Sequence, residues 1–214
     1  MALNKLKFNS INVTPAASKA IRFNSSANGL ETADAGGSLV KIASTTASSS
    51  SSISFTSGID STYKEYIFFF NNIHPGTANQ DFTFNLSADS GSNYNVTKTT
   101  TYFRSVHDEA DSYTNLGYET GRDLAQGTGF QSLSSGVDAA SDGSVSGYLH
   151  LFDPSNTTFV KHYMSVVNAM IHTAYSMNDY SAGYGNTTSA IDAIQFKFAS
   201  GNIDSGTITM YGVT

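Results

Sequence analysis

Apolar and polar residues alternate with a period of two along much of the chain, most cleanly near its C-terminus. Ile194, Phe196 and Phe198 alternate with Gln195, Lys197 and Ala199, which puts one apolar row on one face of a strand. Turn residues follow at Gly201-Asn202 and Ser205-Gly206. Ile208 and Met210 then alternate with Thr207, Thr209, Tyr211 and Val213. The two segments read as a closing hairpin whose truncation would expose a sheet edge.

The same period recurs upstream. Phe82, Phe84 and Leu86 form an inward row over residues 81–87, and Ile53 and Phe55 do so over 52–56. Residues 63–73 are apolar on both faces at their centre, as in a strand covered on both sides, and end at His74-Pro75-Gly76. Residues 94–106 predict a long Thr-rich strand, and 158–170 another. Over residues 145–152, Val145, Gly147, Leu149 and Leu151 oppose Ser146, Tyr148, His150 and Phe152. The pattern weakens over 107–143, where one short strand is expected at 129–133, and over the Tyr-rich stretch 171–186.

Eight or nine short strands with turn clusters and no amphipathic helix predict an all-β fold. The expected architecture is an antiparallel β-sandwich, jelly-roll-like, with an extended N-terminal arm or hairpin. A barrel is the alternative. Phe82, Phe84, Leu86, Ile194, Phe196, Phe198 and Ile208 are the expected core.

The N-terminal block lacks a clean period. Leu3, Leu6, Phe8, Ile11 and Val13 are scattered, while 20–23 and 37–42 read as short strands around an Asn28-Gly29 turn. The stretch STTASSSSS, residues 44–52, has the composition of a connector. The domain assignment is therefore an attachment segment over 1–43, a Ser-rich connector over 44–52 and a sandwich over 53–214. The arm's apolar residues need a covering surface, either the sandwich itself or a neighbouring protein.

Composition narrows the function classes. The 214 residues carry a net charge of −6, with 11 scattered Lys and Arg, so no basic patch exists for phosphates and nucleic acid is not an expected partner. Cysteine is absent, which removes disulfides and thiolate chemistry. No apolar run approaches a membrane span, no membrane partner is expected, and the N-terminus does not read as a signal peptide, consistent with synthesis in a cytoplasm.

Candidate chemistry is sparse. His107, Asp108, Glu109 and Asp111 form the densest polar cluster and are weak candidates for a Ca²⁺ site, but their spacing fits neither an EF-hand nor an HExxH helix. A solvated loop at a strand end is the favoured reading. No G-x-S-x-G elbow or other catalytic signature is present, so the chain is expected not to be an enzyme and to need no cofactor. Tyr113, Tyr118, Tyr175, Tyr180 and Tyr184 lie among Asn and Asp in the two irregular stretches. They are candidates for glycan or partner contacts, with packing at the sandwich ends or a subunit interface as the favoured reading.

The string SSSSISFTSGIDSTYKEYIFFFNNIHPGTANQDFTFNLSADSGSNYNVTKTTTYFRSVHDEAD resembles virion structural proteins of tailed double-stranded DNA bacteriophages of marine type. The likeness continues in SVSGYLHLFDPSNTTFVKHY, AGYGNTTSAIDAIQFKF and SGNIDSGTITMYG, covering about residues 40 to 213. It implies a protein of the particle surface, made in the host bacterial cytoplasm and located in the virion. Three functions follow as expectations. The first is a capsid decoration or cement protein docked through its N-terminal arm. The second is a tail fibre or receptor-binding tip that contacts host-surface glycan. The third, weaker, is a free carbohydrate-binding module or hydrolase. Expected partners are other virion proteins, of capsid or tail, and further copies of the chain itself as a homotrimer.

Overall fold

The computed structural model describes residues 19–34, 38–172 and 174–214. The chain divides into two compact units, Met1–Ser38 and Leu39–Thr214. Leu3, Leu6, Phe8, Ile11 and Val13 lie outside the described residues.

In the first unit, β1 (Lys19–Phe23) and β2 (Leu30–Asp34) form an antiparallel hairpin in which Phe23 faces Leu30. Asn28-Gly29 lies in its turn, closed by Asn24 N–H donating to Gly29 O at 2.9 Å. The partner of β1 is thus Leu30–Asp34 rather than residues 37–42, because only the nearer segment is reached by so short a turn. Ile21, Phe23 and Leu30 are exposed, Phe23 at 71%.

The second unit holds twelve strands: β3 (Leu39–Thr46), β4 (Ile53–Phe55), β5 (Glu65–Pro75), β6 (Gln80–Ser87), β7 (Lys98–Asp108), β8 (Thr114–Tyr118), β9 (Gln131–Val137), β10 (Val145–Phe152), β11 (Lys161–Ile171), β12 (Tyr175–Gly185), β13 (Ala193–Phe198) and β14 (Ile203–Val213). Every pairing is antiparallel. All twelve belong to one continuous, nearly closed sheet, within which eight strands form two facing four-stranded layers, called sheets below, in the orders β3-β14-β5-β10 and β4-β13-β6-β9. In chain order these eight strands cross from one sheet to the other at every step except β6 to β9, which are neighbours, and this connectivity is that of a jelly roll. The other four extend the first sheet beyond β10 as β11-β12-β7-β8, called the wing below. The two sheets meet at one corner, where Ile171 of β11 faces Val137 of β9.

The core between the two sheets is aromatic. Phe68 and Phe70 of β5, Phe82 and Phe84 of β6, and Phe196 and Phe198 of β13 are essentially inaccessible. Phe196 sits at their centre, with ring centroids 5.2 Å from Phe70, 5.4 Å from Phe68 and 6.1 Å from Phe82, within the range where aromatic pairs attract. All seven expected core residues are buried. The all-β sandwich is as expected.

Several expectations are revised. β13 and β14 are not a hairpin: β13 pairs with β4 and β6, β14 with β3 and β5, so the last strand is internal to its sheet. Ser205-Gly206 is not a turn but a bulge inside β14. Gly206 has φ 109°, and a Cβ there would strike Asn72 O on β5, so glycine permits the close approach. The sandwich begins at Leu39, and the first residues of the Ser-rich stretch end β3. Ser44 and Thr46 hydroxyls bond those of Thr209 and Thr207 at 2.9 Å each, and Ala47 and Ser50 N–H groups donate to Gly206 O and Ile203 O at 2.8 Å. Linker-like composition here serves a ladder of short hydroxyl side chains. The stretches 107–143 and 171–186, read as largely irregular, supply β8, β9 and all of β12.

Candidate functional site

The wing carries most of the residues singled out for chemistry. Its β7–β8 turn contains the acidic cluster. The Asp108 carboxylate accepts the N–H groups of Ser112 and Tyr113, each at 2.8 Å, and the Ser112 hydroxyl. These hydrogen bonds, that of the Ser112 side chain first, hold its pKa below the usual carboxylate value. His107 Nε2 lies 3.1 Å from Asp111 Oδ1, both exposed. Glu109 N–H donates to Ala174 O at 3.2 Å. Among the described residues no three metal-ligating side chains converge. Asp108 is used as a turn cap, which leaves His107 and Asp111 as an exposed pair.

The five tyrosines fall into two groups. Tyr113, beside the β7–β8 turn, stacks on Tyr175, at the start of β12, with centroids 5.7 Å apart. Tyr118, Tyr180 and Tyr184 instead point outward from the large sheet. The strand registers place Tyr118 and Tyr180 in one continuous row that crosses seven strands: Thr209, Phe69, Tyr148, Val166, Tyr180, Phe103 and Tyr118, on β14, β5, β10, β11, β12, β7 and β8 in turn. Phe103 and Tyr180 stack almost parallel at 4.7 Å, the spacing of neighbouring strands. Phe69 meets both Tyr148 and Tyr211 edge to face.

Beside this row runs a second, Ile67, His150, Met164, Ala182 and Thr101. Ala182 is short between Met164 and Thr101, which leaves an open groove of about 480 Å³ also lined by Phe152, His162, Thr99 and Tyr184. Met164, 56% exposed, lines it, and Phe103, 41% exposed, stands in the adjoining aromatic row; Leu116, at 74%, lies on the far side of that row, opposite Ser105. Phe103, Tyr148, Met164 and Leu116 were not candidates from sequence. Their signal is register, which depends on pairing between segments far apart in the chain.

The other side of the wing is buried and polar. Lys98, Thr100, Tyr102, Asp108, Lys161, Asp179 and Ser181 all point inward and are buried. Lys98 Nζ donates to Asn85 Oδ1 at 2.5 Å and Val96 O at 2.8 Å, and burial pulls its pKa down to about 7. Thr100 Oγ1 donates to Gln131 Oε1 at 2.6 Å, and Gln131 Nε2 donates to Arg122 O at 2.8 Å. Arg122 Nε lies 3.1 Å from Asp81 Oδ2, and Arg104 Nε 2.9 Å from Glu119 Oε1. Asp179 is the exception. Among the described residues neither of its oxygens has a hydrogen bond, and the same holds for the Tyr102 hydroxyl and Ser134 Oγ beside it. Burial pushes Asp179 up to about 6, opposed by Tyr102, Ser134, the Ser135 backbone and Arg104 around it.

Compared with protein families, with curated proteins and with solved structures, the chain gives no match.

Proposed function

We propose that the chain is a non-catalytic structural protein of a phage particle surface, a capsid decoration protein attached through its N-terminal unit. The virion reading rests on the sequence resemblance. The observation that supports attachment is the β1–β2 hairpin. Two strands alone are at best marginally stable in water, and Ile21, Phe23 and Leu30 leave apolar surface uncovered on it. A hairpin of this kind gains stability by docking, and strand addition or burial of Phe23 in a partner groove would supply it. The sandwich, with its own closed core, needs no such help.

The test compares the full chain with residues 39–214 for binding to particles stripped of this protein. The shortened chain should keep a cooperative melt and lose binding. Retained binding would place attachment in the sandwich. Copy number is the companion measurement: hundreds per particle fit the head, whereas a few to a few tens fit a tail tip and would overturn decoration.

A further inference from the structure

We infer that the outward face of the large sheet is a contact surface for a second copy of this chain. The argument begins with charge. From β5 across β10, β11, β12, β7 and β8 the outward positions hold no Lys and no Arg, and their one carboxylate is Glu65, paired with His150 at the end of β5; the exposed Asp204 on β14 and Lys41 on the edge strand β3 add one charge of each sign at that border. Five charged residues of the wing strands, Lys98, Arg104, Asp108, Lys161 and Asp179, all fall on inward positions. A sheet face left to water normally carries the charged row. Here the outer row is aromatic and aliphatic, with Ser, Thr and Asn beside it. Enrichment in Tyr, Phe and Met with depletion of charge is the composition of an interface core.

Size and charge select the occupant. Seven strands at ~4.8 Å spacing, and about eight residues at ~3.3 Å each, give a face on the order of 750 Å². That is close to the ~800 Å² each partner contributes to a stable interface. The chain carries a net charge of −6. A partner chosen by opposite charge would be met by carboxylates, and this face offers almost none. Two acidic copies, by contrast, can approach through a surface free of like charges. Aromatic and hydroxyl or amide side chains also pair with their own kind, since Ser, Thr and Asn both donate and accept.

The test is the mass of the full chain in solution by sedimentation velocity from 1 to 100 μM, with a double variant Phe103→Lys/Met164→Lys and a control, Ser54→Lys, on the exposed side of β4 in the other sheet. The wild type and the control should be oligomers. The double variant should be monomeric, its dissociation constant raised by about 30-fold or more. Met164→Lys alone, at a highly exposed position, gives the same readout should the double variant fold poorly. A monomeric wild type at 100 μM would overturn the inference, as would an oligomer indifferent to these lysines. A monomer that binds a neutral polysaccharide, and loses it in the variants, would assign the face to glycan instead.

Discussion

The jelly roll and the wing are both built of alternating antiparallel strands but bury opposite kinds of row. In the jelly roll, β5, β6 and β13 turn Phe68, Phe70, Phe82, Phe84, Phe196 and Phe198 inward. In the wing, β7 and β12 turn Lys98, Thr100, Tyr102, Asp179 and Ser181 inward and Phe103 and Tyr180 outward. The jelly roll's two layers meet through aromatic rings, Phe68 and Phe70 against Phe82 and Phe196. The wing faces β6, β9 and the segment after β8, which meet it with a polar network: Gln131 accepts from Thr100 and donates to Arg122 O, while Arg122 and Ser132 both donate to Asp81. A polar row is buried where partners meet it, and it fixes one arrangement more strictly than apolar contact does, at a cost in stability.

Three changes probe this contrast. Phe196→Ala in the jelly roll should cost about 3–5 kcal/mol, because the side chain is fully buried among other Phe rings. Denaturant unfolding measures it, and a cost below about 1 kcal/mol would show a core able to collapse around the gap.

In the wing, Asp179→Asn should alter pH dependence. With its pKa raised from 3.8 to about 6, Asp179 binds more protons in the folded than in the unfolded chain between those values. Its contribution to stability is therefore greatest below pH 4 and is lost as pH rises through 6. The wild type should lose about 2–3 kcal/mol relative to Asp179→Asn between pH 4 and pH 7. Parallel stability curves for the two proteins would mean that Asp179 is satisfied as the carboxylate.

Lys98→Met should act in the opposite direction. The folded lysine titrates near 7 against 10.5 when unfolded, so the folded chain binds fewer protons between those values. The wild type should gain about 2 kcal/mol relative to Lys98→Met from pH 7 to pH 9. No difference in slope would place water or a counter-charge at the amine.

Much of the candidate surface was hidden from sequence for one reason. Tyr118, Tyr180 and Tyr184 are recognisable as unusual, but their neighbours Phe103, Tyr148 and Met164 look like ordinary members of alternating strands. β12 itself, YSMNDYSAGYG, was unreadable as a strand because its buried row holds Asp179, Ser181 and Gly185 while its outer row holds Tyr180 and Tyr184. Periodicity assumes that the apolar row is the buried one. The acidic cluster at the β7–β8 turn was legible as a strand-end loop, whereas the use of Asp108 as the turn's cap was not, since that depends on backbone geometry.

What the sequence by itself determined is the strand character of the chain and the identity of its apolar core, from Phe82 to Ile208, because alternation is a local property carried by adjacent residues. The tertiary structure alone decided which sheet each strand joins, and so that β13 and β14 part company. It also decided that the wing turns its charges inward. Both depend on pairings between segments far apart in the chain, such as Ser44 with Thr209, 165 residues apart. Lys98 and Thr100 become interior residues only because distant strands bring Asn85 and Gln131 to satisfy them.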